Sequence, residues 1–306
     1  MRTRFSPVLL IATLAGVVAW PSVSAAQEPS AVFRAGADAV SIDAAVRQNR
    51  RVVTGLKAED FEVLDNGVMQ QVSDVSYEKL PIDLTVILDV SASVGGPVLD
   101  ELRRALKQLR ADLGAQDRLR LLTFNMRVQR LVDFTDPAAK IDTALASVGG
   151  SGSSAVFDSL AVALSSAAPR GRRQLVVLFS DGQDSSSITD SDTLLDVARR
   201  TTPTVAVVLA SPMRQRPASL VKVSAKPIPT IGDLAQQIAT DTGGFVVGAA
   251  PGETVTTFRQ VLEQFRTSYV LYFTPKGVDA SGTHALEVRV KRPNVEVRSR
   301  RSYAAQ

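Results

Sequence analysis

Three short stretches carry the residues best suited to chemistry. In residues 82–93 (IDLTVILDVSAS), Asp89, Ser91 and Ser93 follow one another at a spacing of two. They stand where an apolar run stops. Leu84, Val86 and Leu88 alternate with Thr85 and Ile87, a pattern that fits a strand covered on both faces. A second run of this kind, residues 174–180 (QLVVLFS), ends in Asp181 and Gly182. Between the two lies a Gly/Ser loop, residues 149–158 (GGSGSSAVFD), which carries Ser154 and feeds a helix. A carboxylate and two hydroxyls at the exit of a buried strand make a poor core and a good place for hard oxygen ligands. Mg²⁺ takes nearly octahedral oxygens and keeps some of its water. Asp-x-Ser-x-Ser alone arises by chance in roughly one chain in ten or twenty at ordinary residue usage. Three oxygen-bearing loops, each at a strand exit or a helix entry, make the constellation specific.

The elements that must hold these loops alternate between helix and strand. Residues 97–112 read as a helix that opens on Pro97, with Val98, Leu102, Ala105, Leu106 and Leu109 as its apolar stripe. Strands follow at 119–124 and 128–134, the second antiparallel and at an edge, then helices at 136–147 and 155–167. Beyond the second Asp, the pattern predicts a helix over 190–201 with Asp190 as N-cap, a strand over 205–210 and a helix over 231–240. A short strand over 243–247 and a helix over 254–267 complete this part. Buried strands alternating with helices predict an α/β fold, a doubly wound, mostly parallel sheet with helices on both faces. In such a sheet, ligands bind beyond the carboxyl ends of the strands, where strand order reverses. The strands before Asp89 and Asp181 are expected to flank that point, which lets residues about ninety apart meet one ion.

Both ends of the chain read as β structure. Val40, Ile42, Ala44 and Val46 alternate with Ser41, Asp43 and Ala45. Asn66-Gly67 between residues 61–64 and 68–72 is a strong hairpin signal, because both turn residues tolerate positive φ. Strands are also expected at 269–274, 284–290 and 295–300, and the two ends are expected to pack together as one β-rich module. Arg2 and Arg4, the apolar run over 7–20 and Val23-Ser24-Ala25 have the form of a cleaved signal peptide. The expected organisation is therefore a signal peptide over 1–25, an N-terminal β-rich flank over 27–78, the α/β domain over 80–267 and a C-terminal strand flank over 268–306. Residues 211–230, rich in proline and basic residues, read as a long surface loop.

Composition narrows the function. The chain has no Cys, which excludes a lipidated Cys anchor, thiolate catalysis and Cys-ligated zinc. Lys and Arg number 35 against 31 Asp and Glu. Without Arg2 and Arg4 the balance is nearly even, and aromatic residues are only 5%. Nucleic-acid binding needs a concentrated basic face with stacking aromatics, so no nucleic-acid partner is expected.

With these residues in view, the chain resembles the von Willebrand factor type A domain with its metal-ion-dependent adhesion site. It is most similar to bacterial secreted proteins in which that domain sits between two β-rich flanks. Asp89, Ser91 and Ser93 match the first element of the site, and Asp181 matches the third. The second element, Thr-Ala-x-x-Asp in the family, stands here as Ser154-Ala155-Val156-Phe157-Asp158. Serine keeps the hydroxyl and loses the stiffening methyl. The resemblance implies that Ser91, Ser93 and Ser154 ligate a divalent cation directly. Asp89 and Asp181 would act through bound water and orient the serines. The cation implied is Mg²⁺, with Mn²⁺ or Ca²⁺ as alternatives. An open position would take an acidic side chain of a protein partner, and no small-molecule cofactor is expected.

Other polar residues are read more plainly. Asp184 is either a loop-capping carboxylate or a supporting residue behind the site. Asp158 is a first-turn helix residue, favoured there by the helix dipole. His284, the single histidine, is a strand residue, and Arg298, Arg300 and Arg301 form a solvated strand face. The function expected is a secreted or envelope adhesion or assembly module, exported to the cell envelope, the periplasm or the medium. The alternatives are an envelope component with a purely stabilising metal and a metal-assisted hydrolase. The hydrolase lacks a nearby general base, any His in the central domain, a G-x-S-x-G elbow and a phosphate loop. The protein is therefore expected not to be an enzyme.

Overall fold

The computed structural model describes residues 39–305, apart from 78–79, 95, 138, 167–170 and 211–230. The signal peptide and the Pro-rich loop expected over 211–230 lie outside the described residues. The first strands are β1 (Val40–Gln48), β2 (Arg51–Val52), β3 (Phe61–Asp65), β4 (Val68–Gln70) and β5 (Val72–Ser76). The central part runs β6 (Ile82–Asp89), α1 (Pro97–Ala111), β7 (Arg118–Phe124), β8 (Val128–Val132), α2 (Lys140–Ala146) and α3 (Val156–Ser165). It continues through β9 (Arg173–Ser180), α4 (Ser191–Arg200), β10 (Thr204–Ala210), α5 (Ile231–Thr242), β11 (Phe245–Ala249) and α6 (Thr254–Arg266). The last strands are β12 (Tyr269–Phe273), β13 (Gly282–Val290), β14 (Glu296–Ser299) and β15 (Ser302–Ala305).

The central sheet has the order β11-β10-β9-β6-β7-β8. All its pairs are parallel except β7 with β8, which closes one edge as an antiparallel hairpin. Every residue of β6 is buried, because β6 lies mid-sheet with helices on both sides. Ile82, Leu84, Val86 and Leu88 pack toward α1, α2 and α6, whereas Ile87 faces α3, α4 and α5. The chain moves outward from β6 through β7 to β8, then returns to the other side of β6 as β9. Strand order therefore reverses between β6 and β9, where Leu88 pairs with Phe179. At the opposite end of β6, the buried Asp83 is held between Arg118 and Arg172.

Strands from both chain ends build a β sandwich. One sheet has the order β14-β1-β12-β5, with β2 beside β1, and the other β15-β13-β3-β4. Ile42, Phe61, Val63, Leu271, Phe273 and Val288 share its core. The hairpin between β3 and β4 turns on Asn66 (φ 47°) and Gly67 (φ 81°), as the Asn-Gly signal predicts. His284 on β13 is buried in this sandwich. Its Nδ1 lies 2.8 Å from Asp65 Oδ1 and 3.1 Å from the Tyr303 hydroxyl.

Several elements differ from the sequence reading, each for a local reason. The strand after the hairpin stops at Gln70, and Val72 starts β5 in the other sheet. The helix expected from residue 136 starts at Lys140, because the Asp136 carboxylate instead accepts from Asp133 N and Lys140 Nζ, each at 2.8 Å. In α1 the core position goes to Leu99, and Val98 points outward. The arginine tail is not a solvated face. Arg300 is buried and donates to the backbone carbonyls of Ser302, Thr202 and Thr201, the last two just beyond the C-terminus of α4. Uncapped carbonyls at a helix end attract a cation, which draws Arg300 inward. Burial pushes its pKa down to about 10, and the group stays charged at neutral pH. Arg298 is half-buried over the Phe245 ring, and Arg301 alone of the three is exposed.

Candidate metal centre

Asp89 ends β6 and is fully buried. One of its carboxylate oxygens accepts from Ser91 N at 2.9 Å, which folds the chain back over the strand end. The other accepts from the Ser180 hydroxyl at 2.8 Å, at the end of the neighbouring β9. Ser180 Oγ also accepts from Gly182 N at 3.0 Å and so shapes the turn that carries Asp181. Ser91 and Ser93 point their hydroxyls together, with Oγ atoms 3.0 Å apart. Ser91 is buried and Ser93 exposed, so the pair lines a path from the sheet end to the surface.

The second loop is sewn to the first. Ser151 N donates to Val90 O and Ala92 N to Gly152 O, each at 2.9 Å. Gly150 lets the two backbones approach. A Cβ there would stand 2.6 Å from Val94 O and 3.1 Å from Ser91 O. Ser154 follows and is buried. Its carbonyl accepts from Ser185 N at 2.8 Å and Ser186 N at 3.1 Å, while its own N–H donates to Ser185 Oγ at 3.1 Å. The third loop is thereby tied to the second. Ala155 N donates to Asn125 O at 2.8 Å, so the turn between β7 and β8 joins the cluster as well.

Asp184 and Asp158 hold this arrangement from behind. Asp184 Oδ1 accepts from Val156 N at 2.7 Å and from the Ser187 hydroxyl at 2.6 Å, which caps α3 across the loop. Ser187 Oγ accepts from Phe157 N and Asp158 N. Asp158 in turn accepts from Thr189 N at 2.8 Å and Ile188 N at 3.1 Å. Burial acts to raise the Asp158 pKa, but the hydrogen bonds from Thr189 and Ile188 outweigh it and hold the carboxyl below its ordinary range. The sequence reading overlooked Ser180, Ser185 and Ser187. Ser180 had one signal, a hydroxyl closing an otherwise apolar strand. The other two stand in a serine run whose partners only the fold reveals.

The electrostatics suit a cation. Burial pushes the Asp89 carboxyl up, and the Asp181 charge adds to that push. Hydrogen bonds from Ser91 and Ser180 oppose both and are outweighed. Among the described residues no Arg or Lys side chain pairs with Asp89 or Asp181. Two carboxylates and clustered hydroxyls without a counter-charge are the donor set a hard divalent ion takes. Among the described residues no cluster of three or more His, Cys, Asp or Glu side chains has metal-holding geometry. Any ion here must therefore take much of its ligation from hydroxyls and water. The five residues singled out in the sequence, Asp89, Ser91, Ser93, Ser154 and Asp181, stand on three mutually hydrogen-bonded loops at the switch point of the sheet.

Residues 83–228, just under half of the chain, match the family model of the von Willebrand factor type A domain. This segment is a von Willebrand factor type A domain. The von Willebrand factor type A structure from Catenulispora acidiphila is similar, at 11% identity and a TM-score of 0.50, covering 88% of this chain and 74% of that one. At that identity the likeness shows the fold alone. The domain of the type V pilus tip protein Mfa5 from Porphyromonas gingivalis aligns at 11% identity and a TM-score of 0.46, over 61% of this chain and 95% of its own. The proximal thread matrix protein 1 of mussel byssus, with a zinc-occupied MIDAS motif, aligns at 15% identity and a TM-score of 0.49, over 65% and 48%. The search of curated proteins returned no match. No helix among the described residues is long and apolar enough to cross a membrane.

Proposed function

We propose that this protein is a secreted or cell-envelope binding module whose von Willebrand factor type A domain holds one divalent cation and captures an acidic side chain of a partner protein. The observation that carries the reading is the buried Asp89, set beside Asp181 and the serine hydroxyls with no basic side chain to balance it. Ser91, Ser93 and Ser154 would hold the ion directly. Asp89 and Asp181 would hold it through water, with Asp89 aimed by Ser91 N and Ser180 Oγ. Mg²⁺ fits this oxygen set, as do Mn²⁺ and Ca²⁺. When bound, the cation supplies an electrophilic position for an outside carboxylate. The chain supplies a rigid, partly buried frame, so an ill-placed partner would lose hydration without compensation. The single histidine lies in the sandwich with Asp65 and Tyr303, which fits binding better than hydrolysis.

The test is a pull-down from envelope extract with the full protein in Mg²⁺. The expected partner band disappears with EDTA and with Asp89→Ala, while the variant keeps its circular dichroism spectrum. A band retained by folded Asp89→Ala would contradict the reading.

A further inference from the structure

At the amino ends of β6, β7 and β9, opposite the metal centre, the buried face of the sheet turns polar. Thr85 on β6 pairs in register with Arg120 on β7, and Asp83 with Gln174 on β9. By strand alternation all four share the face of Ile87, Leu122 and Leu178, which is apolar core further along. They line a small cavity that α3 covers with Ala163 and Ser166. Arg120 is only 6% exposed and Thr85 4%. The Arg120 guanidinium is fixed on two sides. Its Nε donates to Asp133 Oδ1 at 3.0 Å, and its carbon stands 4.1 Å from the centroid of the Phe134 ring. Among the described residues nothing accepts from its two terminal nitrogens. Neither the Thr85 hydroxyl nor the Gln174 amide has a hydrogen-bond partner there either. Unpaired polar groups in an interior cost free energy, so a site that gathers them calls for a water, an ion or a ligand.

Charge and size decide among these. Arg118 and Arg172 share Asp83, while Arg120 and Arg130 share Asp133. Four cations against two carboxylates leave two positive charges in excess. The neighbouring Lys140–Asp136 and Arg266–Asp117 pairs cancel. A water would leave that excess unanswered. The free volume, about 10 Å³, takes one particle of about the size of water. Phosphate or sulfate, each with five heavy atoms, would have to push the strands or α3 aside. We infer that this cavity is an anion site that takes one chloride ion, held by the terminal nitrogens of Arg120, the Thr85 hydroxyl and the Gln174 NH₂. All three groups donate, as a halide requires. The ion ties β6, β7 and β9 together beneath α3 and is independent of the cation centre at the other end of the sheet.

The test melts the full protein in EDTA at fixed ionic strength while sodium chloride replaces sodium gluconate. Wild type should gain stability with the logarithm of chloride concentration once that exceeds Kd. Thr85→Val keeps the side-chain shape and removes one donor, so it should weaken chloride binding about fivefold, the worth of one hydrogen bond. Arg120→Met should abolish the chloride response, and if that variant does not fold, Thr85→Val carries the comparison alone. Crystals grown in sodium bromide should show an anomalous peak in the cavity, in contact with the Arg120 terminal nitrogens and the Thr85 hydroxyl. Equal melting in chloride and gluconate would overturn the inference and leave the cavity to water. A chloride response unchanged in Thr85→Val, or bromide at the protein surface only, would overturn it too. Sulfate in the cavity in place of bromide would assign a larger oxyanion and count equally against it.

Discussion

The Asp89 carboxylate accepts a 2.8 Å hydrogen bond from the Ser180 hydroxyl, 91 residues further along the chain. The bond spans the parallel strands β6 and β9 at the point where strand order reverses. Because Ser180 Oγ also accepts from Gly182 N, one hydroxyl aims Asp89 and shapes the Asp181 turn together. Backbone bonds from the Gly150 and Ser154 loop complete the frame. The three loops are therefore tied to one another by the chain's own hydrogen bonds, and among the described residues no basic side chain pairs with the two carboxylates.

Asp89→Asn should separate stability from binding. A carboxyl whose folded pKa is raised by burial and by Asp181 costs stability once pH rises through that pKa. In EDTA at pH 7 the Asn variant should melt at or above wild type, and the gap should close as pH falls into the ordinary carboxylate range. In Mg²⁺ at 100 times Kd, wild type should gain about 2.7 kcal/mol and the variant nothing. Paired thermal melts in EDTA and Mg²⁺ read both effects.

Gly150→Ala places a methyl 2.6 Å from Val94 O. Backbone cannot yield as a flexible side chain does, so the two loops must part. A loss of about 1–3 kcal/mol is expected, together with weaker Mg²⁺ uptake, because Ser91 and Ser93 ride on the displaced loop. Chemical denaturation and calorimetry check the two effects.

Asp158→Asn keeps one acceptor oxygen and turns the other into an NH₂ donor, so either Ile188 N or Thr189 N loses its partner. A cost of about 1–2 kcal/mol is expected, with faster amide exchange confined to residues 184–190. The wild-type pinning depends on a carboxyl held below its ordinary pKa, so its contribution is complete above about pH 4 and fades only as pH falls through the lowered value. Hydrogen exchange at pH 7 and in mild acid tests the sign.

Much of this architecture can be read from residue order. The apolar runs before Asp89 and Asp181, the Pro97 helix start, the Asp190 cap and the Asn66-Gly67 turn each carry a local signal that the fold obeys. Arg300 carries none. Two of its three partners are carbonyls about a hundred residues away, just beyond the end of α4. Val98 and Leu99 are both apolar at the start of α1, and only packing decides which turns inward. The supports at Ser185 and Ser187 are equally silent in sequence, since their role depends on where the third loop meets α3.

Arg300→Met should be the most destabilising of the tail substitutions. It strips the Thr201, Thr202 and Ser302 carbonyls of a shared donor, at a cost of about 3 kcal/mol. Arg301→Met, at an exposed position, should stay within about 0.5 kcal/mol of wild type. Thermal melts of both variants side by side check the contrast.

Anomalous diffraction from crystals grown in Mn²⁺ tests the shared-cation centre most directly. The account predicts one strong peak within direct coordination distance of the Ser91, Ser93 and Ser154 hydroxyls, with Asp89 and Asp181 one water away. A peak elsewhere, or none at saturating Mn²⁺, would contradict it.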